Sequence, residues 1–143
     1  MESLLETTTF VLHKVAVASR RAIAERLAER PGLTLWQYAT LAELDDHGPV
    51  AQKALAAALG VDPSDMVRLM DELLTGRLVA RARDPLDRRR YQVTLTAAGR
   101  KALAGGRGVV REVEKATLAP LTAAERATLL ELVVKIHRAS VEN

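Results

Sequence analysis

The sequence predicts a mostly α-helical fold carrying a single β-hairpin. Three observations predict it. Ala and Leu are plentiful in a 143-residue chain that is 48% hydrophobic, and its aromatics are confined to Phe10, Trp36, Tyr38 and Tyr91; Ala and Leu favour helix. Apolar residues recur at three- to four-residue spacing through several Pro- and Gly-free segments. The period changes to two only near residues 78–95, on either side of a charged, turn-prone segment. The length suits one compact domain or two fused subdomains.

Residues 3–29 contain no Pro or Gly, and Leu5, Leu12, Val15, Ser19, Ile23 and Leu27 keep helical spacing, so one helix is predicted there, broken by Pro31-Gly32. Thr34-Leu35-Trp36-Gln37 has the pattern of a capping box, and Leu33 and Tyr38 occupy the positions of a hydrophobic staple. A second helix is predicted over residues 35–46, ending at His47-Gly48-Pro49. A short Ala-rich helix over residues 51–59 stops at Gly60. Asp62-Pro63-Ser64-Asp65 opens the next: Asp62 suits the N-cap, Pro63 the first turn, and Asp65 the positive end of the helix dipole. Val67, Leu69, Met70, Leu73 and Leu74 supply its expected apolar face, with Gly76 as its terminator.

Leu78–Arg83 and Tyr91–Leu95 read as two strands joined by the charged loop Asp84-Pro85-Leu86-Asp87-Arg88-Arg89-Arg90. Pro85 belongs in the loop because it cannot donate to a ladder. Thr96 caps a helix over residues 97–118, where Gly105, Gly106 and Gly108 predict a bend or frayed turn, at about 1 kcal/mol each relative to Ala. Pro120 ends it. Thr122-Ala123-Ala124-Glu125 is a second capping box, opening a last helix over residues 123–140. Two helices separated by Gly60-Val61-Asp62 and followed by a hairpin have the order of a helix-turn-helix with a wing.

Composition narrows the function. The absence of Cys excludes disulfides, thiolate metal sites and thiol redox sensing. No segment approaches the roughly 18 apolar residues of a membrane span. The first basic residues are His13 and Lys14, so the N-terminus does not read as a signal peptide, and a cytoplasmic protein is expected. Residues 77–101 hold eight basic side chains against Asp84 and Asp87, a local excess of six positive charges in a chain whose net charge is +3. Such focusing is the footprint of a polyanion partner; charge alone equally fits a solvated face. His13, His47 and His137 lie on different elements, with no two at metal-ligand spacing, and no nucleophile–base motif or Gly-rich phosphate loop is present. Neither metal, cofactor nor catalysis is expected.

The chain resembles the MarR family of bacterial transcriptional regulators. Three features carry the resemblance: Ala54…Leu59-Gly60-Val61 with the following helix end Leu73-Leu74-Thr75-Gly76-Arg77-Leu78-Val79-Ala80-Arg81; the wing Asp84–Arg90; and Val93-Thr94-Leu95-Thr96-Ala97-Ala98-Gly99 leading into a helix. The family wing often reads Asp-x-Arg-Asp-x-Arg, and here Leu86 stands in place of the first Arg. The resemblance implies a winged helix-turn-helix at residues 33–117. It also implies a homodimer interlocked through residues 1–32 and 118–143, bound to a palindromic operator in double-stranded DNA, most often as a repressor. A monomer with a closed helical core is the alternative to the dimer.

Within that frame, Ser64, Asp65 and Arg68 are candidates for the major-groove face, with Arg68 suited to bidentate contact with guanine; a surface salt bridge is the competing reading of Arg68. Gln52 and Lys53 are candidate phosphate contacts. The resemblance implies that Asp87 braces Arg89, that Arg89 enters the minor groove, and that Arg88 and Arg90 meet phosphate. Relatives released by a small-molecule effector make Phe10, His13, Trp36 and Tyr38 candidate pocket residues, against ordinary core or surface roles. A winged-helix protein-interaction module that does not bind DNA is the alternative function.

Overall fold

Local capping chemistry sets most element boundaries. The computed structural model describes residues 2–142, which form, in order, α1 (Glu2–Leu5), α2 (Thr8–Glu29), α3 (Leu35–His47), α4 (Gln52–Leu59), α5 (Pro63–Thr75), β1 (Val79–Arg83), β2 (Tyr91–Leu95), α6 (Ala97–Thr117) and α7 (Ala123–Val141). Both expected capping boxes form. The Thr34 hydroxyl accepts the Gln37 N–H at 3.2 Å and the Gln37 side chain accepts the Thr34 N–H at 3.0 Å; Thr122 and Glu125 repeat the exchange at 3.2 and 2.8 Å. Gly60 closes α4 in the left-handed region, at φ 64°.

β1 and β2 pair antiparallel, from Val79 opposite Leu95 to Arg83 opposite Tyr91. Val50, in the α3–α4 connection, adds an isolated antiparallel bridge to Val93, which ties the base of the hairpin to the helices. The core lies between α3, α4, α5 and the root of the hairpin: Leu41, Leu55, Met66, Met70 and Leu73 are fully enclosed, with Val79, Val93 and Leu103 closing one side. Thr40, the buried polar residue of this core, satisfies its hydroxyl on the Trp36 carbonyl at 2.7 Å.

The structure departs from the sequence expectation at three places along the helices. The single helix expected over residues 3–29 divides at Thr7, which is extended (φ −93°, ψ 108°). Thr7, Thr8 and Thr9 are three β-branched residues in succession, a run with low helix preference. At the end of α5, Gly76 keeps helical angles (φ −72°), and Arg77 takes the left-handed position at φ 56°. The Leu78 N–H reaches the Leu73 carbonyl and the Arg77 N–H the Leu74 carbonyl, both at 3.0 Å. These are the paired bonds of a Schellman motif, with Arg where Gly is usual.

The third departure is α6, which runs unbroken where a bend was expected. Gly105 and Gly106 serve packing. A Cβ on Gly106 would lie 2.6 Å from the Tyr38 ring, and one on Gly105 3.5 Å from Pro31. The missing side chains let α3 and the end of α2 close onto α6. Arg107 fastens the same contact, reaching Asp45 at 2.8 Å and Asp46 at 3.6 Å on α3.

The N- and C-terminal helices are unlike this core. Leu27 is the buried residue of α2, while Val15 and Val17 are exposed. α7 buries none of its residues and displays Leu130, Leu132, Val133, Ile136 and Val141. Its base is held to the α6–α7 turn by the Arg126 Nε–H, which lies 3.0 Å from the Leu118 carbonyl and 3.2 Å from that of Leu121.

Candidate nucleic-acid interface

The start of α5 is shaped by Asp62. Its carboxylate accepts the Ser64 N–H at 2.8 Å and the Ser64 hydroxyl at 2.5 Å. Those bonds, the side-chain one foremost, hold the Asp62 carboxyl below its ordinary value of 3.8. Ser64 is exposed, with its hydroxyl proton directed to Asp62. Asp65 lies 3.4 Å from Arg68, an exposed pair one helical turn apart. Pairs of this kind contribute little to stability; here the effect is to orient the guanidinium along the solvent face.

The buried stripe of α5 is Met66, Leu69, Met70 and Leu73. The sequence reading placed Val67 on that stripe, and the structure places it outside, 51% exposed, in a shallow groove with Ser64, Arg68 and Asp71. Residues 66, 69, 70 and 73 follow the i, i+3, i+4, i+7 rule without exception, so the correct face was legible. Leu74 is half-buried beside it.

Gln52 and Lys53 form the first turn of α4, Lys53 exposed and Gln52 half-buried. The Gln52 side-chain oxygen accepts a hydrogen bond from Arg81 at 2.9 Å. This joins α4 to β1 and fixes the direction of Arg81, a strand residue for which the sequence suggested no contact. Its signal was its spacing of two from Arg83 on a strand.

The loop between the strands is tightly organised for an exposed segment. The Asp84 N–H donates to the Arg90 carbonyl at 2.9 Å, closing the loop, and the Asp84 carboxylate accepts the Leu86 N–H at 2.8 Å. Asp87 accepts the Arg89 N–H at 3.1 Å and its Nε–H at 3.3 Å, and lies 3.6 Å from Arg90. The Arg89 side chain is nonetheless 92% exposed. Arg83 supports the loop from below: its guanidinium donates to the Arg88 carbonyl at 2.6 Å and stacks 4.5 Å from the Tyr91 ring centre. Arg88 and Arg90 are exposed, and Leu86 at the tip is 97% exposed. The hairpin therefore presents several cations from a braced backbone, an arrangement suited to phosphate and to a narrow groove of negative potential.

The four candidate pocket residues do not gather in one chain. Phe10 and His13 share a groove on α2 with Lys14, Val17 and Arg21. Trp36 lines a cleft of about 360 Å³ between α3 and α5, with Asp65, Arg68 and Glu72. Tyr38 is occupied in packing against Gly106. Among the described residues there is no group of three or more His, Asp or Glu able to hold a metal ion, and no helix is long and apolar enough to cross a membrane.

The sequence model of the MarR family matches residues 32–90, from the start of the helical core to the last arginine of the wing. The HTH-type transcriptional repressor NicR of Pseudomonas putida is 34% identical over 133 residues, 92% of this chain and 84% of the relative. Among solved structures, a mutant of MarR from E. coli complexed with operator DNA superposes with a TM-score of 0.74 at 27% identity, covering 88% of this chain and 90% of that one. A structure of Bordetella bronchiseptica BpsR, whose DNA binding is regulated by 6-hydroxynicotinic acid, gives a TM-score of 0.75 at 26% identity, covering 92% and 94%.

Proposed function

The chain belongs to the MarR family of transcriptional regulators, and from that premise we propose that it is a homodimeric repressor that binds a palindromic operator and is released by a small-molecule effector. The observation that carries the DNA-binding reading is the wing: Arg89 is held outward by Asp87 on a loop closed by backbone bonds, with Arg88 and Arg90 beside it. In this reading α5 enters the major groove with Arg68 at a base edge. Ser64, Gln52, Lys53, Arg88 and Arg90 meet the backbone, Asp65 orients Arg68, and Arg89 reaches into the minor groove.

The dimer reading rests on α7. A helix that buries nothing in its own chain, yet carries five exposed large apolar residues, is expected to find its packing in a second copy. Residues 1–32 and 118–143 then form the dimer module and residues 33–117 the DNA-binding module. Two-fold symmetry sets half-sites about one helical turn, roughly 10 bp, apart. Repression is supported by the likeness to the repressor NicR, and effector release by the likeness to BpsR. Trp36, beside Arg68 in the α3–α5 cleft, and Phe10 and His13 on α2 are the side chains proposed for ligand contact, with Tyr38 acting through its packing.

The test is selection of an operator from random-sequence duplexes, followed by affinity measurements across salt concentrations. Arg89→Ala is expected to weaken operator binding and to lower the slope of log K against log salt by about one per protomer. Equal affinity and equal slope in the two proteins would show that the wing does not touch DNA. Failure to select any sequence at low salt would favour a winged helix that binds protein instead.

A further inference from the structure

We propose that Val67 reads a thymine methyl group in the operator, next to the base pair contacted by Arg68. The inference rests on the DNA-binding reading above and adds a residue that the sequence pattern had assigned to the core. Val67 is the one large apolar side chain exposed on α5 among the described residues. The buried stripe of Met66, Leu69, Met70 and Leu73 is complete without it. A β-branched residue is also a poor helix former at an exposed position, where Ala, Lys or Glu would favour α5 more. Val67 thus serves neither the core nor the helix.

Its neighbours indicate what it does serve. Val67 shares a shallow groove with Ser64 one turn before it, Arg68 beside it and Asp71 one turn after. The Ser64 hydroxyl is directed to Asp62, and Arg68 is angled by Asp65. Asp71 and Thr75 lie farther along the groove, and between Ser64 and Asp71 the face offers the pair of Val67 methyl groups. The major groove presents one matching apolar feature, the C5-methyl of thymine. The branched side chain is stiff about χ1, so its methyls are set in place before contact.

The probe is the selected operator with each thymine replaced in turn by deoxyuridine, which removes only the methyl. For the wild-type protein, one symmetry-related position per half-site is expected to lose affinity about four-fold, the effect of one methyl group less to bury. Val67→Ala alters both half-sites, so it should bind the thymine operator about as weakly as the wild type binds an operator with uracil at both symmetry-related positions, and should be indifferent to the replacement. Its thermal midpoint should be unchanged or raised. Indifference of the wild type to uracil at every position overturns the assignment, as does a Val67→Ala protein that keeps the full uracil effect. Absence of any operator binding overturns the repressor reading itself, and this inference with it.

Discussion

Replacing Gly99 with Ala should damage this protein more than any propensity scale suggests. Gly99 occupies the first turn of α6, where its N–H donates to the Thr96 hydroxyl at 3.0 Å. A Cβ at this position would lie 2.0 Å from the Leu78 carbonyl oxygen, 3.0 Å from its carbon and 3.2 Å from Leu95 Cδ2. Ordinary carbon–oxygen contacts begin near about 3.3 Å, so helix and strand root must separate by roughly 1.3 Å. The Leu78 carbonyl also receives the Thr96 N–H at 3.2 Å, and the Thr96 hydroxyl donates to the Arg77 carbonyl at 2.7 Å. That separation breaks both bonds, at about 1 kcal/mol each. Residual overpacking adds about 2 kcal/mol, and the better helix preference of Ala returns about 1 kcal/mol. The net loss is about 3 kcal/mol, a fall of roughly 10 °C in thermal midpoint for a chain of this size. The assay is thermal and urea unfolding followed by far-ultraviolet circular dichroism at one fixed protein concentration. Gly108→Ala is the internal control. Nothing lies within 4 Å of its Cβ position, so it should gain about 1 kcal/mol. Equal stability changes in the two variants, or a Gly99→Ala protein as stable as the wild type, would refute the close approach of α6 to Leu78.

The remaining predictions concern other links in the same structure. Arg77→Gly should stabilise the fold by about 1 kcal/mol, since it relieves a left-handed backbone at the Schellman position; a lower urea midpoint would contradict this. The Asp62 carboxyl is held below 3.8 in the folded protein, so its contribution is complete above that value and is lost as pH falls through the lowered folded value. Stability measured between pH 6 and pH 3 should therefore fall less steeply in Asp62→Asn than in the wild type. If α7 packs in a second copy, the thermal midpoint should rise with protein concentration, and Ile136→Glu should yield monomers in sedimentation, with weakened operator binding. A concentration-independent midpoint would point instead to a stable single chain.

How much of this was legible beforehand follows from the range of each interaction. Thr34 with Gln37, Asp62 with Ser64, and Thr122 with Glu125 are bonds between residues two or three apart. Their geometry is dictated by neighbouring backbone, so the starts of α3, α5 and α7 could be read directly. The hairpin was equally plain, because alternation on both sides of Asp84–Arg90 admits one pairing, and the bracing of Arg89 by Asp87 is a contact across two residues. The winged architecture and its charged edge were thus determined by the sequence alone. Tertiary structure decided what local preference left undetermined. Gly105 and Gly106 suggest a break until Pro31 and Tyr38 are packed against them. Gly76 is the obvious left-handed residue until the Thr96–Arg77 bond draws that conformation one position onward. In each case the local alternatives differ by about 1 kcal/mol, and contacts from residues tens of positions away outweigh that difference.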